Sequence, residues 1–182
     1  MTRRLAAQGY AALAVDLYGG RVAQTPDSAQ AYLQQAMAQR DALMGTLDSA
    51  ITYLSQSQGA PRVGVLGWCM GGAWSLETAL AFPDRLDAAV MYYGRLVTDR
   101  ARLARLDAPL LGLFGGADEG IPVADVRAFE AALRQAGKDA EVHVYDGAGH
   151  AFANPSGESY SAEAAEDAWR RTTAFLAEHL GA

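Results

Sequence analysis

The single cysteine of this chain, Cys69, stands in the run Val63-Gly64-Val65-Leu66-Gly67-Trp68-Cys69-Met70-Gly71-Gly72. An apolar stretch, a glycine-flanked turn and a helix-like continuation have the form of a nucleophile elbow, G-x-S-x-G, with Cys in place of Ser. Glycines at 67 and 71 have a steric reason, because such a turn brings backbone segments too close for a Cβ and strains the nucleophile. The turn would lift the thiol beside a helix N-terminus, where the macrodipole favours the thiolate. The Met70 backbone N–H would then face the oxyanion formed when sulfur attacks a carbonyl carbon. A lone cytosolic cysteine is more often a small buried hydrophobe, and the flanking glycines are what argue otherwise here.

A thiol nucleophile needs a base, and the base needs an orienting acid. The run Leu110-Leu111-Gly112-Leu113-Phe114-Gly115-Gly116-Ala117-Asp118-Glu119-Gly120-Ile121-Pro122 ends an apolar stretch in a glycine-rich loop carrying Asp118. Glu119 is the alternative acid, and a turn or helix-cap role is the bland alternative for Asp118. His150 follows another apolar stretch in Gly147-Ala148-Gly149-His150-Ala151-Phe152. His143 falls within a stretch that reads as a strand and His179 in the terminal helix, so both read as structural or solvated. Three separated histidines and one thiol show no metal-ligand spacing.

These residues need elements to carry them. Short apolar runs at 10–17, 63–66, 88–93, 110–114 and 141–145 read as strands buried on both faces or nearly so. Helical segments alternate with them. Thr25-Pro26-Asp27 opens one as N-cap, first-turn Pro and first-turn acid, running to about residue 55 with a break near Gly45. Others read as 72–81, as a segment from Pro122 to Gly137, and as 162–180. Strands alternating with helices predict an α/β fold, a mostly parallel sheet of about five strands with helices on both faces, in which reactive groups gather at the strands' carboxyl ends.

At 182 residues and about half apolar, the chain reads as a single domain, 1–182, without internal repeats. The net charge of −6 and scattered basic residues argue against nucleic acid and anionic membrane surfaces as partners. No apolar stretch approaches a bilayer span and Met-Thr-Arg-Arg-Leu lacks a signal-peptide core, so a cytoplasmic location is expected.

The chain resembles the dienelactone hydrolases (carboxymethylenebutenolidases) of the α/β-hydrolase fold. Gly9-Tyr10, Asp16-Leu17-Tyr18-Gly19, the G-W-C-M-G-G elbow, Tyr92-Tyr93-Gly94, the G-G-A-D-E-G-I-P loop and G-A-G-H-A-F carry the likeness in family order, over nearly the whole chain. The resemblance implies a triad of Cys69, Asp118 and His150, a thioester acyl-enzyme and hydrolysis of a small ester or lactone without a cofactor. The order nucleophile, acid, histidine is that of α/β-hydrolases. On the same resemblance Trp68, Tyr93 and Asn154 are candidate substrate contacts.

Two departures from the family pattern stand out. Members begin with further strands, and a loop after one of them supplies a second oxyanion donor and a glutamate that engages the nucleophile. Here residues 2–9 resemble the helix after that loop, so an N-terminally shortened fold is expected. With a strand missing between 10–17 and 63–66, either the sheet closes up or another chain fills the gap, and a homodimer or higher oligomer is the expected outcome. Members also hold a substrate carboxylate with arginines, where this chain aligns Asn154 and Ser28. A neutral ester is therefore expected over an anionic lactone. The competing readings are a catalytically weak or silent remnant serving as an assembly or binding module, and a redox-responsive Cys69 without a resolving partner.

Overall fold

The apolar run at 10–17 forms no strand, whereas the other four runs do. The computed structural model describes residues 1–181 and falls into two units, Met1–Pro61 and Arg62–Ala182. In the first unit, α1 (Thr2–Ala6), α2 (Pro26–Ala38) and α3 (Arg40–Thr52) lead into a π-helical turn at Tyr53–Ser57. Residues 10–17 lie between α1 and α2 as irregular chain, with Leu13 exposed. An apolar run becomes a strand only when a neighbour supplies its ladder of hydrogen bonds, and no described strand pairs with this one. Among the described residues the sheet therefore has four strands, where the sequence predicts about five.

The start of α2 follows local sequence rules. The Thr25 side chain accepts from the Ser28 N–H, Ser28 Oγ accepts from the Thr25 N–H, and Asp27 sits in the first turn. The break expected near Gly45 falls instead at Gln39, whose φ of −107° and ψ of 39° end α2 and open α3. Helix α3 runs through Gly45, where a glycine costs about 1 kcal/mol relative to Ala but does not force a kink. Just before α2, Asp16 accepts the N–H groups of Tyr18 and Gly20, and Arg21 lies over the Tyr32 ring.

In the second unit, β1 (Gly64–Trp68), β2 (Ala88–Tyr92), β3 (Leu110–Gly115) and β4 (Ala140–Tyr145) pair in parallel in that spatial order. Trp68 lies opposite Tyr92, and Gly115 opposite Tyr145. Every residue of β2 and β3 is buried, as continuous apolar strands with both faces covered require. Helices α4 (Met70–Ala81), α5 (Arg100–Leu103) and α6 (Val123–Gln135) fall between the strands, and α7 (Ala162–Leu180) follows the last.

Side-chain alternation shows that helices cover both faces. Tyr92, on β2, meets Thr172 of α7 at 2.6 Å, and Tyr145, on β4, donates to Asp167 of the same helix at 2.9 Å. Phe114, which points to the opposite face from its neighbour Leu113, meets Phe129 of α6 with ring centroids 6.5 Å apart. Between these layers Leu111, Leu113, Phe114, Phe129 and Leu133 form the core. No helix among the described residues is long and apolar enough to cross a membrane.

Candidate functional site

Parallel strands end together, so the loops after β1, β3 and β4 share one rim of the sheet. Cys69 follows β1 directly and precedes α4. Its φ of 54° and ψ of −115° place a residue with a Cβ in the left-handed half of conformational space, a strain of about 1–3 kcal/mol that the surroundings must hold. They do so by hydrogen bonds on both sides. Cys69 N–H donates to the Tyr92 carbonyl at 3.0 Å, and the Cys69 carbonyl accepts from Ala73 N–H at 3.1 Å.

The glycines make this turn possible, though not the pair expected. A Cβ on Gly67 would lie 2.2 Å from the Gly71 carbonyl oxygen, and one on Gly72 would lie 2.6 Å from that of Tyr92. Gly71 has open space around the same position. The contact that excludes a side chain after the nucleophile is thus made by Gly72, where α4 crosses β2.

Asp118 and His150 meet Cys69 in a linear relay. His150 Nε2 lies 3.2 Å from Cys69 Sγ, and His150 Nδ1 lies 2.7 Å from Asp118 Oδ2. The Asp118 side chain is 3% exposed and that of His150 42% exposed. The second Asp118 oxygen, Oδ1, accepts the N–H groups of Gly120 and Ile121 at 2.9 and 3.1 Å. The carboxylate is therefore held by its own loop while one oxygen stays aimed at the imidazole. Acceptance by Oδ2 puts the imidazole proton on Nδ1 and leaves Nε2 to take the thiol proton. Glu119, the alternative acid, is exposed, and it is Asp118 that reaches His150.

The remaining sequence candidates lie around this relay. Met70 is the first residue of α4, directly after Cys69. Trp68 ends β1 with its ring 5.2 Å from that of Tyr92, and its indole N–H is buried with no hydrogen-bond partner among the described residues. Tyr93 is buried behind His150, their rings 5.2 Å apart. Asn154 is exposed, and its Oδ1 accepts from Ser156 N–H at 3.2 Å. His143 sits between Glu141 and Arg171 on β4, and His179 packs on Phe175; neither enters the relay.

Sequence reading missed the backbone donors that hold Asp118, and it missed Phe152. Backbone N–H groups carry no residue signature, although Asp-Glu-Gly ahead of a Pro signals a turn in which an Asp side chain caps the following backbone. Phe152, buried against Tyr92, Tyr93 and Tyr145, was visible only as an apolar residue after His150.

Among known proteins, the model of the dienelactone hydrolase family matches residues 1–180. A provisionally named carboxymethylenebutenolidase of Methylorubrum extorquens is 40% identical over 183 residues, covering 93% of this chain and 62% of the relative. One from Escherichia coli K12, also provisionally named, is 34% identical over 205 residues, covering 98% of this chain and 70% of the relative. The chain thus spans rather less than two thirds of the first relative's length and a little more of the second's. A provisionally named dienelactone hydrolase structure from Klebsiella pneumoniae superposes with a TM-score of 0.84 at 33% identity, over 97% of this chain and 78% of that one. A dienelactone hydrolase-like promiscuous phosphotriesterase from metagenomic libraries superposes with a TM-score of 0.86 at 26% identity, over 98% of this chain and 79% of that one.

Proposed function

The chain belongs to the dienelactone hydrolase family, and we propose that it hydrolyses a small ester or lactone with Cys69 as nucleophile, His150 as general base and acid, and Asp118 as the group that orients His150. The observation that carries this reading is the relay itself, thiol to imidazole at 3.2 Å and imidazole to carboxylate at 2.7 Å.

The chemistry runs in two halves. His150 Nε2 takes the thiol proton as Sγ attacks the carbonyl carbon, and the carbonyl π electrons move onto oxygen. The Met70 N–H at the start of α4 is the proposed donor to that oxyanion, helped by the helix dipole. Collapse re-forms the carbonyl and breaks the bond to the alkoxide, which takes the proton from His150 and departs as the alcohol, while the acyl group stays on Cys69 as a thioester. Water then gives a proton to His150 and adds to the thioester. The second collapse expels the thiolate, and His150 returns the proton. Carbonyl carbon, water and thiol balance without any cofactor.

The test is incubation with p-nitrophenyl acetate, with Cys69→Ala and Cys69→Ser alongside. Nitrophenol release, an acetyl group on Cys69 detected by mass spectrometry, and loss of both in Cys69→Ala are expected. Release that survives stoichiometric alkylation by iodoacetamide would overturn the assignment, and an inert wild type would favour a silent binding module. The likeness to a phosphotriesterase adds a neutral phosphotriester to the substrate panel.

The proposal extends to assembly. Among the described strands β1 pairs with β2 alone, and an apolar parallel edge is costly to leave in water. A homodimer or higher oligomer is expected, and sedimentation equilibrium giving one species at the 19.3 kDa chain mass would rule it out.

A further inference from the structure

Two hydrogen bonds fix the ends of the His150 imidazole, but both lie along one axis and neither stops the ring from tipping about it. Tyr93 stands where that freedom would be used. It is the residue after β2, 2% exposed, with its ring set edgewise against His150 at 5.2 Å and 60° and against Phe152 at 5.3 Å and 72°. Its φ of 36° is unusual for a residue with a Cβ, and its N–H donates to the Leu113 carbonyl at 2.8 Å. Such a conformation persists only where the surroundings over-determine it, and such places cluster at active sites.

Ala151, next to His150, is itself held at a φ of 61°, so the loop carrying the base is strained and needs a fixed point, and Phe152, whose ring packs on that of Tyr93, supplies one. Burial, with nearby Cys69 contributing second, pushes the Tyr93 phenol above its ordinary value. The phenol therefore remains neutral wherever a thiolate and imidazolium pair works, and it adds no competing charge.

We propose that Tyr93 is a positioning residue for the hydrolytic reaction, its ring bracing the His150 imidazole against tipping and, through Phe152, the loop that carries His150. The inference rests on the reading of His150 as the base. Tyr93 does not touch the reacting atoms; it acts through His150.

Two substitutions test the ring. Tyr93→Phe keeps it and should retain most of the wild-type kcat, the rescue that a bracing ring predicts. Tyr93→Leu removes the ring; kcat should fall about 10- to 100-fold with KM held, since small misplacements at a reacting centre reach that size. A tipped imidazole also stabilises the thiolate less, so the pH of half-maximal Cys69 alkylation by iodoacetamide should move upward. A purely structural role would lower the melting temperature without moving that pH. A loss in Tyr93→Phe as large as that in Tyr93→Leu overturns the proposal, and so does a wild-type alkylation profile in folded Tyr93→Leu. If Tyr93→Leu does not fold, Tyr93→Met takes its place under the same criteria. His150→Gln runs alongside: full activity there removes the base assignment and this proposal with it, whereas an inactive His150→Gln beside wild-type Tyr93 variants removes this proposal only.

Discussion

Asp118 divides its two oxygens between two tasks, Oδ1 to the backbone of its own loop and Oδ2 to His150 Nδ1 at 2.7 Å. The carboxylate thus arrives at the imidazole with its direction already set. This predicts what Asp118→Asn should do. An amide that keeps its oxygen on the Gly120 and Ile121 N–H groups must present NH₂ to His150, which forces the imidazole proton onto Nε2 and disables the base. In serine triads the same exchange costs about 10⁴ in kcat. A thiol is more acidic and depends less on its base, so a loss of about 10²–10⁴ is expected here. Steady-state hydrolysis of p-nitrophenyl acetate measures it, and a loss below tenfold would mean that Asp118 does not set the tautomer.

The α/β architecture and the three residues that meet at the candidate site were legible in the sequence, for a physical reason. Cys69, Asp118 and His150 each follow a parallel strand, and the strand before Asp118, buried on both faces, announces itself as the continuous apolar run Leu110 to Phe114, while β1 and β4 are only half-buried. Glycines that the turn requires, such as Gly67, are equally visible. What failed was the run at 10–17, whose composition is that of a strand while its state depends on a partner that composition cannot report. Gly45 misled in the same way: propensity proposed a break, and the rest of α3 absorbed the cost. Tyr93 belongs to a third kind. Its place in a Tyr-Tyr-Gly motif marked it as a site residue, but only geometry puts it behind the imidazole.

The glycine contacts around the nucleophile predict opposite outcomes for neighbours. Gly72→Ala forces a Cβ to within 2.6 Å of the Tyr92 carbonyl oxygen, backbone against backbone, where nothing can swing aside. Overpacking of that kind costs about 1–3 kcal/mol or more. Gly71→Ala enters open space on a helix and should be neutral or stabilising by up to about 1 kcal/mol. Urea unfolding of the two variants compares them directly, and equal midpoints would contradict the close approach of α4 to β2.

Acid should weaken one particular tie between β4 and α7. Arg171, donating to Asp167 at 2.6 Å, holds the Asp167 carboxyl below its ordinary value, with the Tyr145 hydroxyl assisting. A carboxyl whose folded value is depressed contributes stability that is present above the unfolded value, about 3.9, and is lost as pH falls through the folded value. Asp167→Asn should therefore lower the melting temperature near neutrality by about 2–4 °C, the shift that ~1 kcal/mol produces at this chain length. The difference between variant and wild type should shrink below about pH 4. A gap that stays constant down to pH 2.5 would assign the effect to packing instead.

Substrate charge is the property on which this chain should depart from the family pattern. Where the resemblance places an arginine, four residues past the histidine, Asn154 offers no charge, and its Oδ1 is engaged by Ser156 N–H. A substrate carboxylate brought toward that loop would lose hydration without gaining a cationic partner, and an unpaired charge keeps its desolvation penalty. Neutral acyl esters and lactones should therefore show higher kcat/KM than matched carboxylate-bearing ones. Asn154→Arg supplies the missing charge on an exposed loop position, where the added side chain meets little steric resistance. It should raise kcat/KM for the anionic member of a matched pair by about tenfold, the equivalent of ~1.4 kcal/mol from one charge-assisted contact, with little change for the neutral member. Added salt should erode that gain, since a contact at an exposed site is screened. If wild-type enzyme already prefers the anion, the cation that recognises it lies elsewhere, and Asn154 has no part in selecting the substrate.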